Sequence, residues 1–298
     1  MTTRLELLRQ QFSSEDSCKE YIANLKWTTG YHCVKCGYDK YYKGIRTFDR
    51  KCQKCSHNES PTAGTLFHKL KFSLVKAFEI IYWLSQSKKG MSSVELSRHF
   101  GLEQKTCWRF KRKIQLAMAE KSSALLSGLV EVDEFVVGGL EKKAQGRSLG
   151  KKKIVVVGIE TMTTAKGKKG IKRAYAQMIK GYRAEDLRPL LDERVDRGSK
   201  IKTDKWTGYN PLKKDYKIKM VYSKGGKNFK ELHYFIMNMK SWIRGIHHQV
   251  SSWHFQAYLD EFCFRFNNRI GKKNVYEIVL ENMILHKPVY DKNLIYGI

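Results

Sequence analysis

The spacing of hydrophobic side chains is helical in the first part of the chain. Residues 72–88, FSLVKAFEIIYWLSQSK, carry apolar side chains at i, i+3, i+4 and i+7, which predicts a helix facing a core. Residues 91–119 predict two helices separated at Gly101, and residues 1–28 predict a short amphipathic helical lead. Residues 29–67 are rich in Cys, Lys, Tyr and Gly, which indicates loops and short strands.

After Ser127 the hydrophobic pattern changes to that of strands. Three apolar segments follow in sequence order, GLVEVDEFVVGG, KKKIVVVGIETM and RAYAQMI. A helical segment, RAEDLRPLLDERV, then precedes two further strands, SKIKTD and YKIKMVYS. Helices are expected near 228–244 and 251–267, with a final helix near 274–285. This order predicts an α/β fold in which a mixed sheet is flanked by helices.

The first of these strands, Val130 to Gly139, is apolar but carries Glu131, Asp133 and Glu134. Burying a carboxylate is costly unless another group compensates its charge. The strand is therefore either an edge strand with one hydrated face or the floor of a site that needs negative charge. Because side chains alternate along a strand, Glu131 shares a face with Asp133, and Glu134 is expected to point away and pair with a basic residue.

The charge of the chain favours a polyanionic partner. Its 298 residues include 57 Lys and Arg against 29 Asp and Glu, which gives a formal net charge of +28. This excess is far larger than solubility requires, and nucleic acid is the first candidate. An aromatic content of 12% argues against a small ribosomal-type protein, which is the simpler alternative.

Neither a membrane span nor a secretory signal is expected. No apolar run approaches 18 residues, and the opening segment, MTTRLELLRQQF, lacks the apolar region of a signal peptide. We therefore expect an intracellular protein, whose seven cysteines are thiols or metal ligands rather than disulfides.

Four cysteines occur in two pairs with the spacing of a zinc ribbon. Cys33 and Cys36 form the first CxxC pair, and Cys52 and Cys55 form the second after fifteen residues. Four thiolates at this spacing predict a tetrahedral structural Zn²⁺ site, which leaves no open position for catalysis. The alternative, redox or incidental cysteines, fits two such pairs in an intracellular chain less well.

The segment MSSVELSRHFGLEQKTCWRFKRKIQLAM predicts a helix-turn-helix. Ser92 or Ser93 caps a short helix, Gly101 and Leu102 mark the turn, and a second helix begins at Glu103. The second helix is basic, as expected of a helix that enters a DNA groove. Its candidate DNA-binding side chains are Lys105, Arg109, Lys111, Arg112 and Lys113. The alternative is a simple helical hairpin with a solvated basic face.

Two aspartates are candidate metal ligands in the second half of the chain. Asp133 lies in the first strand, and Asp204 ends the strand SKIKTD just before a Trp-Thr-Gly turn. First and later strands are often neighbours in mixed sheets, so the two carboxylates are expected to converge. In so basic a chain they suggest two Mg²⁺ ions held against a phosphodiester. The alternative is that each aspartate only ends a strand or caps a turn.

These motifs resemble the bacterial insertion-sequence transposases of the zinc-ribbon group that is related to the eukaryotic Merlin elements. The resemblance runs from about residue 15 to residue 285. It rests on the paired CxxC motifs, the helix-turn-helix, SPTAGTLFHKLKFSL, VEVDEFVVGG, TDKWTGYN and NMKSWIRGIHHQVSSWHFQAYLDEFCFRFNNR. The resemblance implies an RNase H-like catalytic domain and cut-and-paste DNA transposition, with metal-dependent strand cleavage and joining.

The resemblance also implies a catalytic set. The two aspartates correspond to its first and second carboxylates, and IMNMKSW places Asn238 at the third position, where most relatives have Glu. An Asn carbonyl can bind Mg²⁺ without adding charge, and Lys240 is expected to hold phosphate. Glu261 is a substitute third ligand, although pairing with Arg265 on the same helix is the simpler interpretation.

Five segments are expected along the chain. They are a helical lead (1–28), a zinc ribbon (29–67), a helix-turn-helix domain (68–122), an RNase H-like catalytic domain (127–287) and a C-terminal tail (288–298). The ribbon and the helix-turn-helix are expected to recognise transposon ends, and the catalytic domain to cut and join them.

The main hypothesis is a DNA transposase that acts on transposon ends and target DNA as a homo-oligomer assembled on DNA. It would work on the nucleoid of a bacterial host or in the nucleus of a eukaryotic one. The alternative is a non-catalytic zinc-ribbon and helix-turn-helix DNA-binding protein, either a regulator or a decayed transposase. A regulator would not need Asp133 and Asp204 at strand ends, so these carboxylates separate the two hypotheses.

Overall fold

The chain forms two compact units in the computed structural model, which describes residues 3–87, 89–119, 124–138, 152–164, 167–247, 250–271, 273–290 and 294. The first unit comprises Met1–Met118 together with Lys272–Ile298, and the second comprises Ala119–Gly271. The predicted C-terminal tail lies mostly outside the described residues. Within the described ranges, no helix combines the length and apolar character needed to cross a bilayer.

The secondary structure follows the predicted order. The helices of the described ranges are α1 (Arg4–Gln11), α2 (Glu15–Lys26), α3 (Leu74–Gln86), α4 (Ser93–Phe100), α5 (Gln104–Met118), α6 (Ala184–Arg194), α7 (Lys230–Ile246), α8 (Ser252–Asn267) and α9 (Val275–Leu285). The strands are β1 (Tyr41–Lys43), β2 (Arg50–Cys52), β3 (Asn58–Glu59), β4 (Leu129–Val137), β5 (Lys153–Thr163), β6 (Lys169–Ile179), β7 (Lys200–Thr203) and β8 (Lys217–Met220).

The predicted ribbon is a small antiparallel sheet in the first unit. Strand β2 is central, with β1 on one side and β3 on the other. The guanidinium of Arg50 lies 4.2 Å from the ring centroid of Trp27 and 4.2 Å from that of Tyr41. Because so small a sheet has little apolar core, these cation–π contacts add to its stability.

Helices α4 and α5 are the predicted helix pair. The Ser92 hydroxyl accepts the N–H of Glu95, and the Glu95 carboxylate accepts the N–H of Ser92, which together satisfy two free donors at the start of α4. Gly101 ends α4 with a φ of 62°, a left-handed conformation that favours glycine. The turn lies where the sequence places it.

Helix α9 packs in the first unit, against α2, α3 and α5. The N–H of Leu66 donates to the Met283 carbonyl at 3.0 Å, and the Asn282 side chain donates to the Ala117 carbonyl at 2.9 Å. The structure therefore differs from the expected catalytic domain of 127–287, which included this helix. Hydrophobic periodicity shows that one face of a helix is buried but not which element covers it.

The second unit is built on a five-stranded mixed sheet with the order β6-β5-β4-β7-β8. Strands β4, β5 and β6 are antiparallel neighbours, whereas β7 and β8 run parallel to β4. Helix α6 covers one face, and α7 and α8 cover the other. A sheet of this order with helices on both faces is RNase H-like, so the predicted fold class is confirmed.

Side chains of α8 close the outer edge of this sheet at β6. Gln256 accepts the Met178 N–H at 2.8 Å and donates to the Ala176 carbonyl at 3.0 Å. Asn267 pairs in the same way with both backbone groups of Ala174, at 2.8 and 2.9 Å. Free backbone groups on an edge strand can pair with another chain, so the two amides protect this edge.

Candidate active site

Asp133 and Asp204 lie at the same level of two neighbouring parallel strands. Strands β4 and β7 pair with Glu131 opposite Lys202, and each aspartate follows two residues later. Burial raises the pKa of Asp133, and the nearby charge of Asp204 raises it further. The structure therefore brings the two predicted catalytic aspartates together on the neighbouring strands β4 and β7.

His233 of α7 faces the same carboxylate. Its Nε2 lies 3.2 Å from Oδ2 of Asp133, and the other oxygen of Asp133 accepts the N–H of Glu134 at 2.8 Å. The Asp133 side chain is 18% exposed and that of His233 is 41% exposed, so a ligand from solvent can reach both. His233 was not among the site residues predicted from the sequence.

The turn after β7 fixes Asp204. The backbone N–H of Trp206 donates to Oδ1 of Asp204 at 3.0 Å, and its indole N–H donates to the Tyr182 carbonyl at 2.7 Å. Gly208 lies beside this indole, where an added Cβ would stand 2.4 Å from the Tyr182 carbonyl oxygen. The segment TDKWTGYN is thus a tightly packed turn that holds the second aspartate in place.

Glu134 lies on the opposite face of β4 and accepts a hydrogen bond from the Tyr209 hydroxyl. Tyr209 is fully buried, and burial together with the charge of Glu134 raises its pKa well above the usual value, so the hydroxyl keeps its proton. Apolar side chains of α6 cover this face of the sheet, and the Tyr209 hydroxyl is one partner of Glu134 there. The expected pairing of Glu134 with a basic residue stays a prediction.

Glu131 shares the face of Asp133, as predicted, but it does not lie free in the site. Its carboxylate is 3.0 Å from Nζ of Lys202, and only 3% of the residue is exposed. Lys202 also donates to the Asn228 carbonyl, and the Asn228 side chain donates to the Tyr222 carbonyl at 2.6 Å. Glu131 therefore compensates a half-buried lysine that anchors the loop leading into α7.

Lys240 lies against Phe135, which follows the first aspartate by two residues in β4. Its Nζ is 5.1 Å from the ring centroid of Phe135 in β4. Burial and the charge of Arg244 lower the pKa of Lys240, while the carboxylate of Asp133 acts in the opposite direction. The predicted lysine therefore shares the electrostatic environment of the carboxylate site.

Asn238 occupies a different face of α7. Its side chain is exposed to solvent. A helix turns by about 100° per residue, so Asn238 is rotated by about 140° from His233 and by about 160° from Lys240. His233 and Lys240 are seven residues apart, which places them two turns apart on one face. This spacing is the signal that points to His233 from the sequence.

Glu261 is not at this site. It is 1% exposed, and its Oε1 lies 2.8 Å from a guanidinium nitrogen of Arg265, one turn along α8. The simpler interpretation of this residue is therefore the one that the structure supports, and Glu261 is not available as a substitute ligand.

The four paired cysteines form the expected cluster in the first unit. The ligand atoms of Cys33, Cys36, Cys52 and Cys55 all lie within 4.8 Å of one another. The Sγ atoms of Cys33 and Cys55 are 3.5 Å apart, close to the separation of about 3.8 Å that tetrahedral zinc–sulfur bonds of about 2.3 Å require. The cluster fits Zn²⁺. Among the described residues, no set of three His, Asp or Glu side chains in the second unit is gathered as tightly.

The basic side chains of α5 divide into two groups. Lys111 and Arg112 are each 6% exposed; Lys111 donates to the Met91 carbonyl at 2.7 Å, and Arg112 donates to the Gln115 side chain at 2.8 Å. Lys113 donates to backbone carbonyls of residues 66 and 68. Lys105 is exposed and Arg109 is half-buried. Three of the five predicted DNA-binding residues thus hold the first unit together.

Two family models match the chain. Residues 125–267 match the ISXO2-like transposase domain, and residues 13–58 match the transposase zinc-ribbon domain. A curated relative, the uncharacterized protein in transposable element ISH50 of Halobacterium salinarum, is 24% identical over 214 residues, which are 68% of this chain and 72% of the relative. The two matched domains contain the paired aspartates and the cysteine cluster.

Two solved structures show a remote likeness. A pre-cleavage Mos1 transpososome has a TM-score of 0.26 and 11% identity, over 71% of this chain and 79% of that chain. A Mos1 transposase paired-end complex with the left transposon end has a TM-score of 0.23 and 12% identity, over 69% of this chain and 78% of that chain.

Proposed function

Because the chain belongs to the zinc-ribbon insertion-sequence transposases, we propose that it cuts the ends of its element and joins them to target DNA with divalent metal ions. The observation that carries this proposal is the pairing of Asp133 with Asp204 on neighbouring strands, with His233 against the first carboxylate. A non-catalytic DNA-binding protein has no use for a carboxylate whose pKa is raised by burial and by the charge of a second carboxylate nearby, as that of Asp133 is.

Asp133 and Asp204 supply the hard oxygen donors that Mg²⁺ requires, and two ions are expected. Bound metal would activate the attacking oxygen and stabilise the leaving one at a phosphodiester. His233, rather than the predicted Asn238, would complete the donor set or orient Asp133, and its Nε2 contact with that carboxylate supports this role. Lys240 contributes a positive charge for the DNA phosphate on the same helix face.

The first unit is proposed to recognise the element ends. Zn²⁺ in the cysteine cluster holds the ribbon, and the exposed start of α5 with Lys105 offers a basic surface to a DNA groove. Phosphate contacts of this kind supply affinity that falls as salt rises. The protein is expected to act as a homo-oligomer on DNA, in the nucleoid of a bacterial host or in the nucleus of a eukaryotic one.

A plasmid excision assay tests the proposal. Asp133→Ala and Asp204→Ala are expected to abolish excision of a marked element, because each removes a charged metal ligand. Asp215→Ala is the matched control, since that carboxylate is paired with Arg188 elsewhere in the second unit. Excision that persists in both site variants favours the alternative, a DNA-binding protein without catalysis.

A further inference from the structure

The hydrogen bond between Tyr209 and Glu134 joins the two segments that carry the aspartates. Glu134 directly follows Asp133 in β4, and Tyr209 lies five residues after Asp204 in the chain. The bond therefore ties the strand of one carboxylate to the turn of the other. Resemblance and motif spacing assign no role to either member of this pair.

The Tyr209 end of this bond lies in a rigid turn. Trp206 donates from its backbone to Asp204 and from its indole to the Tyr182 carbonyl. A Cβ at Gly208 would stand 2.5 Å from the indole nitrogen, so the turn is packed as closely as a glycine allows. A movement of the tyrosine ring would consequently be transmitted to Asp204.

We propose that the Tyr209–Glu134 hydrogen bond is a positioning contact, which sets Asp133 and Asp204 at the separation that the reaction requires. This inference rests on the proposed function. Tyr209 is fully buried, and Glu134 lies on the face of β4 opposite Asp133, so neither side chain touches DNA or metal. Both act through the aspartates, and a displacement of about 1 Å at a catalytic group can cost about 100-fold in rate.

The chain contains a matched control for a merely structural hydrogen bond. Tyr216 is also buried in the second unit and donates its hydroxyl to the carboxylate of Asp192 in α6. Tyr216→Phe removes the same type of bond as Tyr209→Phe, but from a carboxylate that does not neighbour a catalytic aspartate. If the role is only structural, the two variants should lower the cleavage rate equally. If the role is positioning, only Tyr209→Phe should lower it.

The experiment compares the full-length protein with Tyr209→Phe, Glu134→Gln and Tyr216→Phe. Four quantities are measured: the single-turnover cleavage rate of an element-end duplex at saturating protein, the Mn²⁺ affinity by calorimetry, the duplex affinity without metal, and the melting temperature. Asp133→Ala provides the rate without catalysis. The duplex affinity reports on the first unit and serves as the internal reference.

We expect Tyr209→Phe to lower the cleavage rate by about 10- to 100-fold and to weaken Mn²⁺ binding, with the duplex affinity unchanged. Glu134→Gln keeps an oxygen that accepts the hydroxyl, so its rate should stay within about threefold of wild type. Tyr216→Phe should lower the melting temperature about as much as Tyr209→Phe but retain its rate and Mn²⁺ affinity.

Four outcomes overturn the inference. Equal rates for the two tyrosine variants would make the bond structural only. A Glu134→Gln rate as low as that of Tyr209→Phe would show that charge, not the hydrogen bond, matters. A wild-type protein that cuts no end duplex would overturn the proposed function as well. If wild type cuts, Asp133→Ala does not, and Tyr209→Phe cuts at the wild-type rate, only the inference is overturned.

Discussion

The three carboxylates of β4 have three different environments. Asp133 lies at the proposed catalytic site, the Glu131 carboxylate pairs with Lys202, and Glu134 accepts a hydrogen bond from Tyr209 on the opposite face. Strand alternation predicts which of them share a face, because the period of a strand is fixed. It does not predict their partners, since Lys202 and Tyr209 come from segments about 70 residues away in the chain.

Asp133→Asn is expected to stabilise the metal-free protein at neutral pH. Because the pKa of Asp133 is raised in the folded state, the folded protein binds this proton more tightly than the unfolded chain, and the ionised carboxylate opposes folding above that pKa. The gain should be on the order of 1 kcal/mol, the size that a single stabilising substitution commonly yields.

The measurement is denaturant unfolding of both proteins without metal, at neutral pH and again at acidic pH. The gain should shrink as the pH falls through the raised pKa, since wild-type Asp133 then becomes neutral as well. A variant that is less stable at neutral pH would show that the contact with His233 outweighs the cost of burial and of the Asp204 charge.

His233→Ala is expected to reduce end cleavage more than Asn238→Ala does. His233 contacts Asp133, and loss of a group that orients or completes a metal site typically costs about 10- to 100-fold in activity or metal affinity. Asn238 is exposed on another face of α7. Single-turnover cleavage with both variants decides between them, and the reverse order of effects would restore Asn238 as the third position.

The hydrophobic period predicts the helices and strands of this protein, but it does not predict which faces of the helices are buried and which are open to a ligand. The face of α5 that reads as basic in the sequence contains Lys111 and Arg112, both of which are buried and donate hydrogen bonds within the first unit. On α7, the seven-residue step from His233 to Lys240 identifies the face toward the site. The resemblance placed Asn238 at the third position through the motif IMNMKSW, but a motif does not show which face of the helix its amide occupies.

Lys105→Ala and Lys111→Ala should therefore separate DNA binding from stability within α5. Lys105 is exposed, so its loss should weaken duplex binding and reduce the salt slope by about 1, without changing the melting temperature. Loss of Lys111 removes the donor to the Met91 carbonyl and should cost roughly 1–3 kcal/mol of stability. Duplex titrations at several salt concentrations and thermal unfolding check both; a Lys111→Ala protein of normal stability would contradict the assignment.

In the whole molecule, the cysteine cluster and the paired aspartates lie in different compact units. The first contains the cysteine cluster and α5, and the second contains the aspartates. The chain leaves the first unit at Met118 and returns to it at Lys272, so that α9 completes the core of the first unit. A return of this kind cannot be deduced from periodicity, because α9 presents the same apolar pattern whichever unit it joins.

Removal of zinc should act on the first unit only. Structural zinc sites contribute directly to folding, so a chelator is expected to unfold the ribbon and abolish duplex binding. Hydrogen exchange of the full-length protein measures the effect in each unit. The sheet of the second unit should keep its protection, and a loss of protection in β4 and β5 would contradict the division into two units.

The most direct test is cleavage of a duplex that carries one element end by the purified full-length protein. With Mg²⁺ or Mn²⁺, wild type should cut at the element boundary and leave a 3′-hydroxyl, and a chelator should prevent the cut. Asp204→Ala should bind the same duplex with unchanged affinity and leave it intact. Cleavage that persists in Asp204→Ala, or a wild type that binds the end and never cuts it, would contradict a metal-dependent site at Asp133 and Asp204.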